Sequence, residues 1–504
     1  MLFQSYVFVF LFLPVALGGY YLAGRTGDRA AKLWLAAMSF WFYGSFRLEY
    51  LFLLAASVLL NYGIARGIRR KAEAGGRAGG LLAAGIAANL AVLVYFKYMD
   101  FFIENWNHAS GMGLPLLHVA LPVGISFFTF QQISYLTDCY KGEIEGSSFL
   151  DYMLSIVYFP KLVEGPLVMY AEWGSELAAA GKKRFDAEKL MRGICLFVMG
   201  MMKKVILADT FGGAVDYGYS NLEIMHGWDA LLLVVFYALQ LYFDFSGYCD
   251  MALGVSRMFG IELPINFNSP YQAGNIIDFW KRWHMTLNRF FTKYIYIPLG
   301  GNRRGRGRMY GNLLVVFLVS GIWHGAGWNF ILWGMLHGIL YVLTRMWMSR
   351  KRAASKEKSE RDSQRGFRRG KILRAVSVFL TFCYTAFAWV YFRADSVAQG
   401  NRLLSILFSG DFARVNRNLA GYFNLDEFWY ILKVLRLDGW EYGHYILMGL
   451  ITAFSLLLVF FGKNAVQMAD KIKPKPWTAV LFAGAMLWCV LAFSQVSTFL
   501  YFNF

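Results

Sequence analysis

The chain has 504 residues, of which 57% are hydrophobic, 18% aromatic and only 16% charged. This composition is too apolar for a soluble domain of that length and predicts a polytopic membrane protein. The net charge of +18 would suit a nucleic-acid partner, but the basic residues lie in short clusters between apolar segments, where the positive-inside rule accounts for them. Composition and charge pattern therefore exclude a soluble enzyme and argue against nucleic-acid binding.

The first part of the chain contains apolar segments long enough to cross about 30 Å of hydrocarbon. They lie near 5–23, 31–46, 48–65 and 80–98. The first of them lacks a preceding basic region, so we interpret it as an uncleaved helix and not as a signal peptide. The basic connections 25–32 and 66–77 are predicted to face the cytoplasm, which places the N-terminus and the loop 100–118 outside.

Between 119 and 170 two further segments look membrane-embedded, yet the basic cluster that follows them requires an odd number of crossings. Pro122, Gly124, Pro160 and Pro166 interrupt both segments. Irregular backbone at membrane depth persists only where protein or a water-filled cavity surrounds it. We therefore expect one re-entrant or broken segment beside a funnel or cavity.

Two crossings, 190–210 and 230–247, carry charged residues at unusual places. Lys203 and Lys204 lie inside the first crossing, and Asp244 and Asp250 lie near the end of the second. The two aspartates are candidates for a buried polar network. The alternative is that they satisfy nearby arginines or helix ends near the membrane interface.

The strip from 275 to 308 combines many aromatic residues with many basic ones and predicts an amphipathic helix at the cytoplasmic interface. Helical spacing would place Trp280, His284 and Phe291 on one face, and Asp278 and Arg282 could form an ion pair one turn apart. Basic side chains here could attract the phosphates of a donor, although basic residues that only determine topology would look the same.

Helices near 310–323 and 328–344 follow, joined by a turn in which Gly325 and Gly327 follow His324 and allow a close approach. The segment 345–374 is predicted to be a basic cytoplasmic loop. Later crossings near 375–393, 445–461 and 477–494 enclose an external loop at 395–444. Twelve crossings would place both termini outside, and no internal repeat suggests the inverted halves of a transporter.

Two histidines 40 positions apart, His284 and His324, are the best candidates for chemistry. A neutral imidazole can take a proton from a hydroxyl and contributes about 10²–10⁴-fold as a positioned base, which would suit acyl transfer to an alcohol. The alternative, that each histidine only hydrogen-bonds a neighbouring helix, stays open on spacing alone. His337 is interpreted as a packing residue, and the five scattered cysteines indicate no metal site.

Several long motifs resemble the membrane-bound O-acyltransferases, and within that family the bacterial branch that includes the alginate O-acetylation membrane protein. They are DFWKRWHMTLNRFFTKYIYIPLGGNRRG, SGIWHGAGWNFILWGMLHG, LPVGISFFTFQQISYLTDCYKG, YFPKLVEGPL and LYFDFSGYCDMALGVSRMFGIELPINFNSPY. The resemblance covers roughly 120–345 strongly, and most of the remaining chain by hydropathy.

This resemblance implies one all-α integral membrane domain over 1–504, with about 11–13 helices and re-entrant segments around a central funnel. The signature region is 275–345. Within it, the resemblance makes His324 the catalytic histidine and gives His284 a supporting role in orienting the acyl carbonyl or thioester. Trp280, Lys281, Arg282, Asn288 and Trp323 are the candidates for binding the donor.

The resemblance also implies the substrates. No cofactor is expected to be permanently bound. The donor would be a cytoplasmic acyl thioester, with acetyl-CoA as the first choice, and the acyl group would cross the membrane to an exported polysaccharide through an extracytoplasmic partner enzyme. Transfer of D-alanine from a carrier protein to teichoic acid ranks second. A transporter or flippase, and a scaffold for a partner enzyme, remain alternatives of other classes.

The aromatic tail 495–504 resembles tails of alginate-type relatives. Tyrosine is a legitimate covalent nucleophile when a base removes its proton. We therefore hypothesise that Tyr501 briefly carries the acyl group, with His324 as its base. The alternative is that Phe499, Tyr501 and Phe502 are interfacial anchors of the last helix.

Overall fold

The computed structural model describes residues 1–144, 146–182, 185–355, 365–424, 427, 433–434 and 442–495. Every regular element within these ranges is a helix, which confirms the all-α fold class. The N-terminal part of the chain, up to Tyr140, forms six helices. They are α1 (Leu13–Gly24, preceded by a π-helical turn, Phe8–Phe12), α2 (Asp28–Gly44), α3 (Leu48–Glu73), α4 (Gly79–Lys97), α5 (Met99–Ser110) and α6 (Ile125–Tyr140).

The middle of the chain supplies short helices around two long ones. They are α7 (Phe149–Val157), α8 (Phe159–Leu162), α9 (Tyr170–Ala178), α10 (Ala187–Met201), α11 (Asp209–Ser220), α12 (Gly227–Met258), α13 (Ile276–Arg282), α14 (Met285–Phe291) and α15 (Arg306–His324). π-helical turns follow α10 (Met202–Ala208) and α14 (Thr292–Tyr296).

The C-terminal part returns to long apolar helices. They are α16 (Trp328–Ser355), α17 (Arg365–Arg393), α18 (Val397–Leu407), α19 (Arg417–Gly421), α20 (Gly443–Phe461), α21 (Ala465–Ala469) and α22 (Pro476–Leu491). In the described part, α16 and α17 extend further into the basic segment 345–374 than the sequence predicted. Lysine and arginine are good helix formers, so a basic composition does not end a helix.

Among the described residues, six helices are long and apolar enough to cross a membrane, namely α3, α4, α12, the Trp328–Arg350 part of α16, the Gly370–Arg393 part of α17, and α20. The segments Phe8–Gly24 and Pro476–Leu491 are shorter apolar helices. The other expected crossings correspond to shorter or more polar helices. The segments around 119–170 are interrupted, as the prolines predicted: irregular backbone precedes α6, and α7 and α8 are separated at Tyr158.

Helix α12 is the central element, and 83% of its most apolar stretch is buried. It packs backbone to backbone against α10 because glycines face each other at two levels. A Cβ atom on Gly200 would lie 2.6 Å from the carbonyl oxygen of Gly247, and one on Gly193 would lie 2.7 Å from that of Gly254. Small residues at such a seam allow the close approach that drives helix association in membranes.

The polar network expected at Asp244 and Asp250 joins α12 to the π-helical turn that follows α10 and to the start of α11. Lys204 Nζ lies 2.6 Å from Asp244 Oδ1 and 2.8 Å from Asp209 Oδ1, and Lys203 Nζ lies 2.6 Å from Asp250 Oδ2. The network is therefore confirmed, but its cations are the two lysines of the neighbouring helix and not arginines or helix ends. A buried charge needs such a partner because removal from water is costly.

The expected continuous helix over the RWH strip is wrong. The chain breaks at Trp283 and His284, where His284 adopts a left-handed conformation with φ of 45° between α13 and α14. The Asn288 side chain donates to the carbonyls of Trp280 and Trp283, which occupies the backbone acceptors at the break. Trp280 and His284 therefore do not share a helical face.

Candidate active site

His324 is the last residue of α15 and is buried, with 4% of its surface exposed. Its imidazole lies among aromatic rings, with centroids 4.7 Å from Trp323, 5.0 Å from Trp333 and 5.1 Å from Phe392. The following glycine is needed because a Cβ on Gly325 would lie 2.1 Å from the Phe330 ring. The close neighbour that the sequence predicted at Gly325 is therefore the side chain of Phe330 in α16.

His284 is equally buried, and its hydrogen bonds define its tautomer. Nδ1 lies 3.1 Å from Asn266 Oδ1, an oxygen that also accepts hydrogen bonds from the backbone N–H and the hydroxyl of Thr286. Because that oxygen is an acceptor, Nδ1 carries the proton in the neutral ring. Nε2 is then an acceptor, and it has no hydrogen-bond partner among the described residues.

The two histidines come together on either side of Trp323. The ring centroid of His284 lies 6.3 Å from that of Trp323, and Trp323 in turn contacts His324. The sequence placed the histidines 40 positions apart without any means of bringing them together. The backbone amides of Asn268 and Met285 donate to the carbonyls of Arg282 and Asn266 and hold the RWH turn against the preceding loop. Packing of His284 against Trp323 then joins this turn to the end of α15.

His337, like His324, contacts the ring of Trp333. Its ring centroid is 5.1 Å from Trp280 and 5.2 Å from Trp333, and the side chain is fully buried. Neither ring nitrogen has a conventional hydrogen-bond partner in the described part of the chain. Its contacts are those of the packing residue that the sequence predicted.

Lys97 is the residue of this site that sequence reasoning missed. Its ammonium donates to the carbonyl oxygens of Trp323, at 2.7 Å, and His324, at 3.1 Å. These carbonyls belong to the C-terminal end of α15, where a cation is favourable. The signal that could have revealed it was a lysine at the end of the apolar segment LAVLVYFK, since a charge inside a membrane segment is a functional hypothesis by default.

A small cavity of about 40 Å³ opens beside His324. Its walls come from the turn before α6, the segment after α8 and the end of α15. The lining residues are Lys97, Leu121, Pro122, Val123, Gly124, Ile125, Ser126, Phe127, Val163, Glu164, Trp323 and His324. The irregular backbone that the prolines predicted thus borders a cavity, as expected.

A second, larger cavity of about 850 Å³ lies along α13, α14 and α15. Three of the five predicted donor-binding residues line it, namely Trp280, Lys281 and Asn288. Further cations at its wall are Arg289, Lys293 and Arg345, and Ser320 brings the wall within about one helical turn of His324.

The other two donor-binding candidates lie elsewhere. Arg282 Nε pairs with Asp278 Oδ1 at 2.9 Å, which confirms the expected ion pair. Trp323 lines the small cavity beside His324. Tyr501 lies outside the described residues. In the described part of the chain, no group of three metal-ligating side chains occurs.

The model of the MBOAT, membrane-bound O-acyltransferase family matches residues 88–364. Together with the helical fold and the paired histidines, this match shows that the chain belongs to the membrane-bound O-acyltransferase family. The protein is therefore an acyltransferase and a multi-pass membrane protein.

Relatives over the whole length are O-acetylation proteins. The chain is 36% identical to the peptidoglycan O-acetyltransferase of Helicobacter pylori, over 100% of this chain and 98% of that protein. It is 34% identical to the probable alginate O-acetylase AlgI of Pseudomonas aeruginosa, over 94% of this chain and 84% of that protein. The teichoic acid D-alanyltransferase of Bacillus subtilis is 32% identical over 43% of this chain and 57% of its own length.

Proposed function

We propose that this enzyme moves an acyl group, most simply acetyl, from a cytoplasmic thioester across the membrane for O-acylation of a cell-surface polysaccharide. The observation that carries the proposal is that both histidine rings contact Trp323, with His324 lining the small cavity and Met285, next to His284, lining the large one. O-acetylation is also what the names of the relatives aligned along the full chain describe.

The large cavity supports a donor of the acetyl-CoA type. Its cationic residues Lys281 and Arg345 suit the phosphates of coenzyme A or of a phosphopantetheine carrier. Arg289 and Lys293 also line the cavity, but Arg289 pairs with Glu172, and Lys293 pairs with Asp138 and Glu143. All four cations belong to segments for which the sequence predicts a cytoplasmic location. The thioester would lie at the inner end, near Ser320 and Trp280. Acetyl-CoA acts as substrate, and no permanently bound cofactor is required.

The chemistry assigned to His324 is general base catalysis. The imidazole takes the proton of the attacking hydroxyl, the hydroxyl oxygen forms a bond to the thioester carbonyl carbon, and the carbon–sulfur bond breaks. The departing thiolate then recovers the proton from His324, so the reaction is balanced. Burial among Trp323, Trp333 and Phe392 favours the neutral imidazole that this role needs.

His284 orients the donor in this scheme. Because its Nδ1 proton is committed to Asn266, its Nε2 atom accepts a hydrogen bond and does not donate one to a developing oxyanion. An amide N–H group of the pantetheine arm would be a suitable partner. His284 thereby holds the thioester against His324 without taking part in bond making.

The route to the final acceptor includes a relay through Tyr501. The tyrosine oxygen would attack the thioester, with its proton passing through His324 to the thiolate, and the resulting ester would pass to an extracytoplasmic partner enzyme. This step needs the C-terminus on the outer side, as the predicted topology with both termini outside provides. The enzyme would lie in the cytoplasmic membrane.

The test is transfer from labelled acetyl-CoA to the purified protein in proteoliposomes, with mass spectrometry of the acylated product. Wild type is expected to carry label on Tyr501, and His324→Phe and Tyr501→Phe are expected to lose it. His337→Phe is the matched control, because it removes an equally buried imidazole outside both cavities. Full transfer by His324→Phe would refute general base catalysis, and full O-acylation by Tyr501→Phe would refute the relay.

Transfer of D-alanine from a carrier protein is the second candidate, favoured by the similarity of part of the chain to a teichoic acid D-alanyltransferase. It predicts that a D-alanyl carrier thioester is used in preference to acetyl-CoA. A transporter or flippase without acyl transfer predicts transport that survives His324→Phe, with no acyl transfer from either thioester.

A further inference from the structure

Glu164 is a buried carboxyl group that the scheme above does not use. Only 2% of its surface is exposed, and neither carboxyl oxygen has a hydrogen-bond partner among the described residues. It lies just after α8, in a turn whose glycine is obligatory, because a Cβ on Gly165 would lie 2.3 Å from the Cα of Lys161. The tight turn therefore fixes the backbone from which this side chain extends.

The turn after α8 contacts both the segment before α6 and the segment that contains His284. On one side, Gly124 has a φ of 73°, and a Cβ there would lie 2.7 Å from the carbonyl oxygen of Leu162. On the other side, the Leu167 N–H donates to Thr286 Oγ1 at 3.0 Å. Thr286 Oγ1 donates in turn to the same Asn266 oxygen that holds His284. The turn that contains Glu164 is thus linked to His284 by a chain of hydrogen bonds through Thr286 and Asn266.

Nearby cations do not hydrogen-bond to this carboxyl group. The ammonium of Lys97 donates to the carbonyls of α15, that of Lys161 donates to Gln131 at 2.8 Å, and that of Lys204 pairs with Asp244 and Asp209. Asp244 and Lys204 act on Glu164 electrostatically with opposite signs. Burying a carboxyl group without a partner is unfavourable, so the packing of this region does not explain the residue.

What Glu164 does share with His324 is the small cavity, since both residues line it. A volume of about 40 Å³ holds about three water-sized groups, which matches a hydroxyl and its carbon but not a sugar ring. The turn 121–127 that completes the wall follows the loop that the sequence places outside. The cavity is thus shaped for the end of an acceptor entering opposite the donor.

We propose that Glu164 is an acceptor-binding residue, whose carboxyl group hydrogen-bonds the hydroxyl that enters the small cavity and presents it to His324. This inference rests on the proposed function, because it names the residue that selects a hydroxyl-bearing acceptor in that reaction. The ligand is defined by chemistry: an alcohol or phenol group at the end of a larger molecule.

The experiment compares wild type with Glu164→Met and Glu164→Gln in nanodiscs, using acetyl-CoA and three hydroxyl probes. The probes are a mannuronate tetramer, an N-acetylglucosamine trimer and N-acetyltyrosine amide, and the one that wild type acetylates fastest is used for kinetics. Glu164→Met should raise the KM for that probe by about tenfold or more, with the KM for acetyl-CoA unchanged. Glu164→Gln, which keeps a hydrogen-bonding group, should recover part of the loss.

Thermal stability separates this role from a structural one. Methionine has a similar length without the unpaired polar atoms, so Glu164→Met should unfold at a temperature equal to or above that of wild type. Glu188→Met is the control, because Glu188 is exposed and pairs with Arg192 on the surface. An unchanged acceptor KM in folded Glu164→Met, or failure of that variant to fold, would overturn the proposal.

The outcome also distinguishes this inference from the proposed function. If wild type acetylates a probe while the Glu164 variants keep its acceptor KM, only the role of Glu164 is refuted. If wild type labels Tyr501 but none of the probes, the rate of that labelling is the readout, and an unchanged rate in folded Glu164→Met refutes the role of Glu164. If wild type binds acetyl-CoA but acetylates none of the probes and no residue of its own, the proposed function is refuted, and the inference with it.

Discussion

At the scale of single residues, the site depends on side chains that hold the histidines as much as on the histidines themselves. Lys97 fixes the end of α15 and Asn266 fixes the ring of His284. Lys97 acts by donating to backbone carbonyls, and Asn266 acts by fixing the tautomer of His284. Neither interaction can be recognised from the sequence. The sequence identified His284 and His324 as candidates because a histidine among apolar segments is costly, and the structure added the residues that position them.

Lys97→Met should lower kcat for acyl transfer by about 10–100-fold, because two buried carbonyls lose their donor and His324 loses its fixed position. The KM for acetyl-CoA should stay unchanged, since Lys97 does not line the large cavity. Steady-state kinetics on proteoliposomes measures both values. Lys97→Arg, which keeps the charge, is the control, and a change confined to the KM for acetyl-CoA would contradict the positioning role.

At the scale of elements, the sequence predicted most of the helices. It did not predict where a helix is interrupted or which helices pack closely together. Hydropathy marked α3, α4, α12 and α20 correctly because each is long and apolar. The RWH strip has the composition of an amphipathic helix, yet hydrogen bonds stabilise a break at His284. Asn268 and Asn288 donate to carbonyls beside the break, and Asn266 accepts from the residues that follow it. Tertiary contacts of this kind override local helical periodicity.

The seam between α10 and α12 gives a prediction about stability. Gly200→Ala should lower the free energy of unfolding by about 1–3 kcal/mol, because its Cβ meets a backbone oxygen that cannot move aside. Gly449→Ala in α20 is the matched control, since nothing lies within 4 Å of a Cβ there. The control should leave stability unchanged or raise it by about 0.5–1 kcal/mol. Thermal unfolding in detergent compares the two variants.

Equal effects of the two alanine substitutions would show that the glycine seam does not determine how α10 and α12 pack. The seam also places Lys203 and Lys204 opposite Asp250 and Asp244. The sequence showed that four charges occur in two crossings, and helix packing decided which of them pair.

At the scale of the whole molecule, two cavities adjoin the site: His324 lines the small one, and Met285, the residue after His284, lines the large one. The large one collects basic residues from α13, α14 and α16, which are separated in sequence. The sequence predicted both Lys281 and Arg282 as donor-binding cations. In the fold, Arg282 pairs with Asp278, whereas its neighbour Lys281 lines the cavity.

Lys281→Glu should raise the KM for acetyl-CoA by about tenfold at low salt, because the charge reversal repels the donor phosphates. The difference should shrink as salt rises, since screening shortens the reach of an exposed charge. Arg308→Glu is the control, because Arg308 is exposed and does not line the cavity. Initial rates at several salt concentrations make the measurement, and equal effects at both positions would indicate general attraction to a basic surface.

The sequence by itself determined the membrane class, the all-α fold and the family, because hydropathy and long contiguous motifs are local properties of the chain. It also identified His324 and His284 one at a time. Only the tertiary structure decided that the two histidines meet at Trp323, that Lys97 and Asn266 hold them, and that Glu164 faces the same cavity as His324. These relations join residues far apart in the chain, and they depend on helix packing and buried hydrogen bonds, which no local pattern encodes.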